Sequence, residues 1–337
     1  MSFRVRPARS EDFDAIYEMA KLTGGGFTNL PPDRGTLVEK LLKSEAAFGK
    51  DSDALENDLF LLVLENAETG QVRGTCQIFS KVGADWPFYS YRLTTMTQTS
   101  KALDRTFRAE LLTLVTDLEG SSEVGGLFLH PGERAGGLGM LLARARYLFI
   151  RLHRKRFADR IIAELRGVID EAGGSPFWDG LAGKFFDMNF QTADELNAAH
   201  GNQFIADLMP KTPIYTALLP ESARAVMALP HPSGRAAMRM LEREGFKYER
   251  HVDIFDGGPT MQAKTDEVRT IRDARAVTAS EVVAGGKPAL LACGHLKGFV
   301  ACYGAVGPVK AGAATIEPRA ADLLNIRAGE TFLRMDR

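Results

Sequence analysis

The sequence predicts an α+β fold of the mixed α/β kind: a sheet with flanking helices, joined to a small C-terminal β-rich domain. Three observations carry this expectation. Extended apolar runs follow one another with turns between them, which gives hairpins rather than βαβ units. One apolar run, Val124 to Leu129, passes through a glycine-rich turn into a long amphipathic stretch, Met140 to Arg154. From about Thr265 alanine, glycine and valine dominate, and short extended runs appear. A chain of 337 residues has room for both parts. The expected division is 1–262 and 263–337.

In chain order, Phe3 to Pro7 reads as a short strand. Ser10 is a plausible N-cap with acidic residues in the first turn. Ile16, Met19, Ala20 and Leu22 fit a helix that stops at Gly24 to Gly26. Gly24 to Asp33 is too rich in glycine and proline to be an element. Thr36 to Phe48 is a second helix. Leu59 to Leu64 is a buried strand, Glu65 to Gly70 turns the chain, and Val72 to Val82 returns as its partner. Tyr89 to Thr99, rich in threonine and aromatics, is extended. After Val124 to Leu129, the glycine turn and the helix comes another strand, Arg160 to Leu165. Gly173 to Pro176 breaks the chain. Pro176 to Phe190 and Gly201 to Met209 are helical and connecting material. His231 to Glu244 is a helix and Phe246 to Phe255 a strand. Ala289 to Cys293, Gly298 to Tyr303 and Thr331 to Met335 are the extended runs of the C-terminal domain.

Composition narrows the function. A net charge of −1 gives no field to capture nucleic acid or an anionic membrane. The three cysteines, Cys76, Cys293 and Cys302, are odd in number and lack a CxxC pair. Neither a disulfide framework nor a structural zinc site is expected, and reduced thiols fit a cytoplasmic protein. The first residues have no apolar core of a signal peptide, and no run is long and apolar enough to span a membrane. The β appendage and exposed strands leave room for a homo-oligomer.

The glycine turn, Arg134-Ala-Gly-Gly-Leu-Gly139, carries the chemistry. A P-loop needs Lys-Ser/Thr after its last glycine, and none follows. A dinucleotide fingerprint needs a third glycine where Leu142 stands, and a hairpin precedes the turn. The pattern R/Q-x-x-G-x-G/A does fit. It resembles the acyl-CoA pyrophosphate loop of GCN5-related N-acyltransferases. Bare backbone N–H groups at a helix start face an anion, and the helix dipole favours it. Glycine lets a pyrophosphate approach the main chain. Arg134, Gly136, Gly137 and Gly139 are therefore the candidate cofactor-binding residues.

Longer stretches resemble one family. They are Thr23 to Gly26 with Leu30-Pro31, Gly120 to Glu123, Leu127 to Leu129, Glu164 to Glu171, Ser175 to Trp178, Leu208 to Lys211 with Pro213 to Tyr215, and Asp253 to Thr260. Together they resemble the arginine N-succinyltransferases of bacterial arginine catabolism, over about residues 3–272 and more faintly beyond. The resemblance implies transfer of succinyl from succinyl-CoA to the α-amino group of L-arginine, giving N2-succinylarginine and CoA. It implies succinyl-CoA as donor co-substrate and no metal. It also implies a CoA-thioester contact at Leu127 and a proton-transfer role for His231. Two other readings stand beside it: the same chemistry on ornithine or another cationic amino acid, and a non-catalytic sensor of acyl-CoA or arginine.

The residues have their own logic. Leu127 reads as core by its side chain, so a functional role falls to its backbone. His231, between two prolines before a helix, reads by itself as a cap or surface residue. An imidazole titrating near neutrality can nevertheless serve the proton transfers of amide formation. His130 is its rival by position. Glu164, Asp170 and Glu171 can hold a guanidinium, and Arg166 a carboxylate, through paired charged hydrogen bonds. Trp178 reads as core. Cys76 has no base beside it in sequence, which favours direct attack over an acyl-cysteine route.

Overall fold

The structure is a computed structural model, which describes residues 3–23, 29–134 and 136–336. The expected helix stop at Gly24 to Gly26, and Ala135 of the glycine turn, lie outside these. Two compact units are formed. The first comprises Met1–Ser80, Ser122–Asp159 and Lys264–Arg337, and the second Lys81–Ser121 and Arg160–Ala263.

In the first unit, Leu59–Asn66 pairs antiparallel with both Phe3–Pro7 and Val72–Phe79, and Val72–Phe79 pairs antiparallel with Ser122–Leu129. Leu59 to Leu64 is apolar without alternation because both faces of that strand are buried. The helices Phe13–Lys21 and Arg34–Gly49 set Ile16, Met19, Leu37 and Leu41 against Leu61, Val63 and Phe128. The second helix is capped by Asp33, whose carboxylate accepts the Thr36 N–H at 2.7 Å. Ser10 is not the cap expected of it. A 3-10 turn, Ser10–Asp12, precedes the first helix, and Asp12 accepts the Arg9 N–H at 2.8 Å while the Ser10 hydroxyl donates to Glu45. The helix Leu138–Leu152 is buried on every face from Leu141 to Ile150, and Phe149 packs edge-on against Phe48 and Phe299.

The C-terminal strands are more numerous than expected. Lys287–Cys293, Thr331–Asp336, Arg275–Val282, Ala313–Ile316 and Val300–Val306 pair in succession, and Lys287–Cys293 also pairs with Val300–Val306. The five thus close into a small barrel. Its interior holds Val277, Ala289, Leu291 and Phe332, with Ala320, Leu323 and Leu324 of the helix Pro318–Leu324. Val300–Val306 also pairs with Phe3–Pro7, Arg4 opposite Cys302. This segment therefore shares a compact unit with the N-terminal strands.

The second unit orders its strands Arg160–Glu164, Pro259–Lys264, Lys247–Val252, Ser90–Ser100, Arg105–Val115 and Ile214–Tyr215. Ser90–Ser100 and Arg105–Val115 form one long hairpin in unbroken register. The first four residues of its second arm are exposed, and only Phe107 among them is apolar. Trp178 is core, as expected: it is fully buried, stacks on Phe255 at 5.7 Å, and donates Nε1–H to the Met188 carbonyl at 2.9 Å.

Candidate active site

The Ser122–Leu129 strand slips register against its neighbour. Phe128 faces Thr75 and Gly125 faces Gln77, so Gly126 and Leu127 together oppose Cys76. This is a β-bulge, which releases backbone groups from the ladder and re-aims the strand. Gly126 supplies the positive φ of 56°. Thr75 Oγ1 donates to the Gly126 carbonyl at 3.1 Å, and the Arg146 guanidinium to the Gly125 carbonyl at 3.3 Å. The Leu127 side chain is half-buried, not core as the sequence suggests.

Beyond the strand the chain runs through the 3-10 turn Pro131–Glu133 to the glycine turn. Gly137 is the N-cap of the Leu138–Leu152 helix, in the left-handed region with φ 80° and ψ 15°. A side chain at this position would be strained. Among the described residues no side chain caps this helix start, and no acidic residue stands in its first turn. Met140 and Leu141 donate to the Gly137 carbonyl at 3.0 and 3.1 Å, which leaves the N–H groups of Leu138 and Gly139 without a helical acceptor. A Cβ at Gly139 would make an ordinary contact, 3.8 Å from Leu129 Cδ2, so the fold itself does not demand glycine there. Arg134, Gly136 and Gly137 are exposed. The result is an open helix start whose dipole is met by no acidic side chain of its first turn. Tyr303 donates its hydroxyl to the Gly137 carbonyl at 3.2 Å; nothing in the sequence points to this contact.

Just before the bulge the same strand buries Glu123, another residue missed as a candidate. Asn29 Nδ2 lies 3.4 Å from its Oε1, and the Asn29 carbonyl accepts from Lys40 Nζ at 2.8 Å and Gln77 Nε2 at 2.6 Å. Burial pushes the Glu123 carboxyl up to about 7 and the Lys40 ammonium down to about 8, while each charge resists the other's shift. Cys76 is fully buried, its thiol donates to the Leu142 carbonyl, and burial pushes it up to about 12.

His130 is occupied. Its Nδ1 lies 2.7 Å from Arg73 Nη2 and accepts the Gly132 N–H at 3.1 Å, so the lone pair is spent on holding the turn. In the second unit His231 opens a similar His-Pro turn. Its Nδ1 lies 2.7 Å from Ser233 Oγ and 3.3 Å from the Ser233 N–H. Its Nε2 has no partner among the described residues. The His231 N–H donates to the Arg166 carbonyl at 2.7 Å. Partial burial and then the Arg166 charge hold the imidazole below its ordinary value of 6.5, which favours the neutral ring.

The three candidate carboxylates fare differently. Asp170 Oδ1 accepts the N–H groups of Ala172 and Gly174 at 2.9 and 2.8 Å, which makes it the organiser of an exposed turn. Glu171 is exposed in the same turn. Glu164 is half-buried at the end of the Arg160–Glu164 strand. Arg166 is half-buried beside His231, with its Nε sealed from solvent and unpartnered.

A bulged strand leading through a bare glycine turn to an uncapped helix, in a mixed α/β sheet, defines an acyltransferase. Comparison with known proteins gives the family. The family model described as arginine N-succinyltransferase beta subunit matches residues 3–270, and that of its C-terminal domain residues 272–333. The chain is 42% identical over 285 residues to the arginine N-succinyltransferases of Salmonella arizonae and Citrobacter koseri; the match covers 85% of this chain and 81% of each relative. It is also similar to a solved structure, the arginine/ornithine succinyltransferase subunit AI from Pseudomonas aeruginosa. That similarity has a TM-score of 0.90 at 31% identity and covers 99% of this chain and 98% of the other. The chain belongs to the arginine N-succinyltransferase family.

Proposed function

We propose that the chain transfers the succinyl group of succinyl-CoA to the α-amino group of L-arginine, releasing N2-succinylarginine and CoA. The glycine turn at a helix start with no capping side chain carries this reading, with family membership beside it. Gly137, Gly139 and the first-turn N–H groups take the pyrophosphate, and Arg134 adds a positive charge to the same anion. The bulged backbone at Leu127 takes the thioester end of the donor.

The amine must lose a proton and attack the thioester carbonyl. The C–S bond then breaks, and the thiolate takes a proton. His231 fits both transfers. Its neutral ring accepts from the ammonium at Nε2, and the imidazolium so formed is acidic enough to protonate the thiolate. The sealed Cys76 thiol supports direct attack without an acyl-cysteine. Three free cysteines support a reducing, cytoplasmic setting. The small barrel from about 263 onward is read as an appendage of the catalytic domain 1–262, and self-association stays compatible with it.

The test is thiol release from succinyl-CoA with arginine as acceptor, with the product identified by mass. Release dependent on arginine supports the proposal. CoA binding without release makes the chain a sensor. Faster turnover on ornithine moves the acceptor assignment to that amino acid.

A further inference from the structure

The second unit holds two charges that no described residue pairs. Arg166 has no hydrogen-bond or ion-pair partner for its guanidinium among the described residues, and its Nε is sealed from water. Two carboxylates lie within electrostatic reach, Asp256 and Asp194. Asp256 is occupied: its Oδ2 accepts the Gly167 N–H at 2.7 Å and its Oδ1 the Gly258 N–H at 2.8 Å. Asp194 is not. It is half-buried in the helix Phe190–His200, and among the described residues nothing donates to it. Burial, then the nearby Asp253, push its carboxyl up to about 6, against the pull of Arg166. Asp253 is itself engaged, since its Oδ1 accepts the N–H groups of Phe255 and Asp256.

Ala193, the neighbour of Asp194, is buried in one core with Phe255, and Asp256, the next residue, bonds Gly167, the neighbour of Arg166, so this cation and anion share one partly desolvated neighbourhood without an ion pair between them. Desolvated charges without partners cost free energy, and proteins keep such groups where a ligand completes them. The backbone of Arg166 is pinned to His231, the proton-transfer residue. An amino-acid acceptor has a carboxylate beside its reacting amine and, in a basic amino acid, a cation at the far end. We infer that Arg166 takes the α-carboxylate of the acceptor and Asp194 its side-chain cation, so that these two residues set acceptor selectivity. The inference rests on the reading of the chain as an amino-acid N-succinyltransferase. It gives the cation-binding role to Asp194 in place of Asp170 and Glu171, which serve or border an exposed turn.

Calorimetric titration of the full chain in the presence of CoA tests it. Three probes separate the poles: L-arginine, agmatine, which lacks the carboxylate, and L-citrulline, which lacks the cation. Asp194→Asn should lose about tenfold or more in affinity for arginine and stay within about twofold for citrulline. Arg166→Gln should lose affinity for arginine and keep that for agmatine. Asp194→Glu should recover part of the arginine affinity, which separates charge loss from misfolding. If Asp194→Asn keeps its preference for arginine over citrulline, or loses both ligands equally, the inference is overturned. The two readings fail separately. A wild-type chain that binds arginine but transfers no succinyl overturns the function and leaves the poles standing. One that transfers succinyl, with selectivity unchanged in Asp194→Asn, does the reverse.

Discussion

Tyr303 donates its hydroxyl to the carbonyl of Gly137 at 3.2 Å, linking a barrel strand to the N-cap of the Leu138–Leu152 helix. Gly137 sits in a conformation that the helix alone does not enforce, so this contact helps hold its peptide in place. Tyr303→Phe should raise the CoA dissociation constant about two- to tenfold, the range of one neutral hydrogen bond. The Michaelis constant for arginine should stay put. Equilibrium binding of CoA and steady-state kinetics on the same preparation check both.

Gly137 gives a second test, of charge separated from strain. Asparagine tolerates the left-handed region better than most residues, and aspartate is its charged near-isostere. Gly137→Asn should keep measurable CoA affinity, whereas Gly137→Asp should lose much more, because its carboxylate faces a pyrophosphate. Equal affinities for the two variants would mean that no anion binds at this helix start.

His231 should titrate below its ordinary value, because burial and the Arg166 charge both disfavour the imidazolium. Removing the cation in Arg166→Gln should move its pKa upward. NMR titration of the His231 ring reads this directly. In kinetics, the acidic limb of the profile should shift to higher pH in the variant at saturating arginine. His231→Ala should lower kcat by about 10²–10⁴-fold, the general acid–base range, with CoA affinity nearly intact.

Arg156 and Asp58 form a buried pair at 2.7 Å, with side chains 1% and 2% exposed. Arg156 also donates to the Ala47 carbonyl at 3.1 Å, and Lys50 reaches the other Asp58 oxygen at 2.6 Å. Asp58→Asn leaves the guanidinium buried without its counter-charge and should cost about 3–5 kcal/mol in denaturant unfolding. Adding Arg156→Met should recover part of that loss, since the stranded charge goes with it.

The glycine turn is legible in sequence because it combines a rare composition with a strand before it and a helix after it. The buried strand Leu59–Asn66 is legible for a similar reason, since a local apolar run needs no distant partner to be read. Asp194 and Tyr303 are not legible. Each takes its meaning from a residue far along the chain, Arg166 for one and Gly137 for the other, and no local pattern marks it. Asp170 misleads for the opposite reason: a carboxylate after a strand looks like a ligand, yet its own turn consumes it through bonds two and four residues on. The strand Arg105–Val115 escapes because its first four residues lie in solvent, where burial imposes no apolar alternation.

The pairing of Arg4 with Cys302 has a consequence for how the protein is made. Phe3–Pro7 leaves the ribosome before both of its partners, and Leu59–Asn66 soon covers one of its edges. Val300–Val306, which covers the other, follows only after the long stretch of chain between them has been made. At roughly 5–20 residues per second, the nascent chain carries an open strand edge for about 15–60 seconds. Such an edge invites pairing with any neighbouring chain. Yield in a heterologous host should therefore depend on translation speed, temperature and chaperone supply. A chain that stops before Val300 keeps that edge open permanently and should collect in inclusion bodies, even though its glycine turn, His231 and Arg166 are all present.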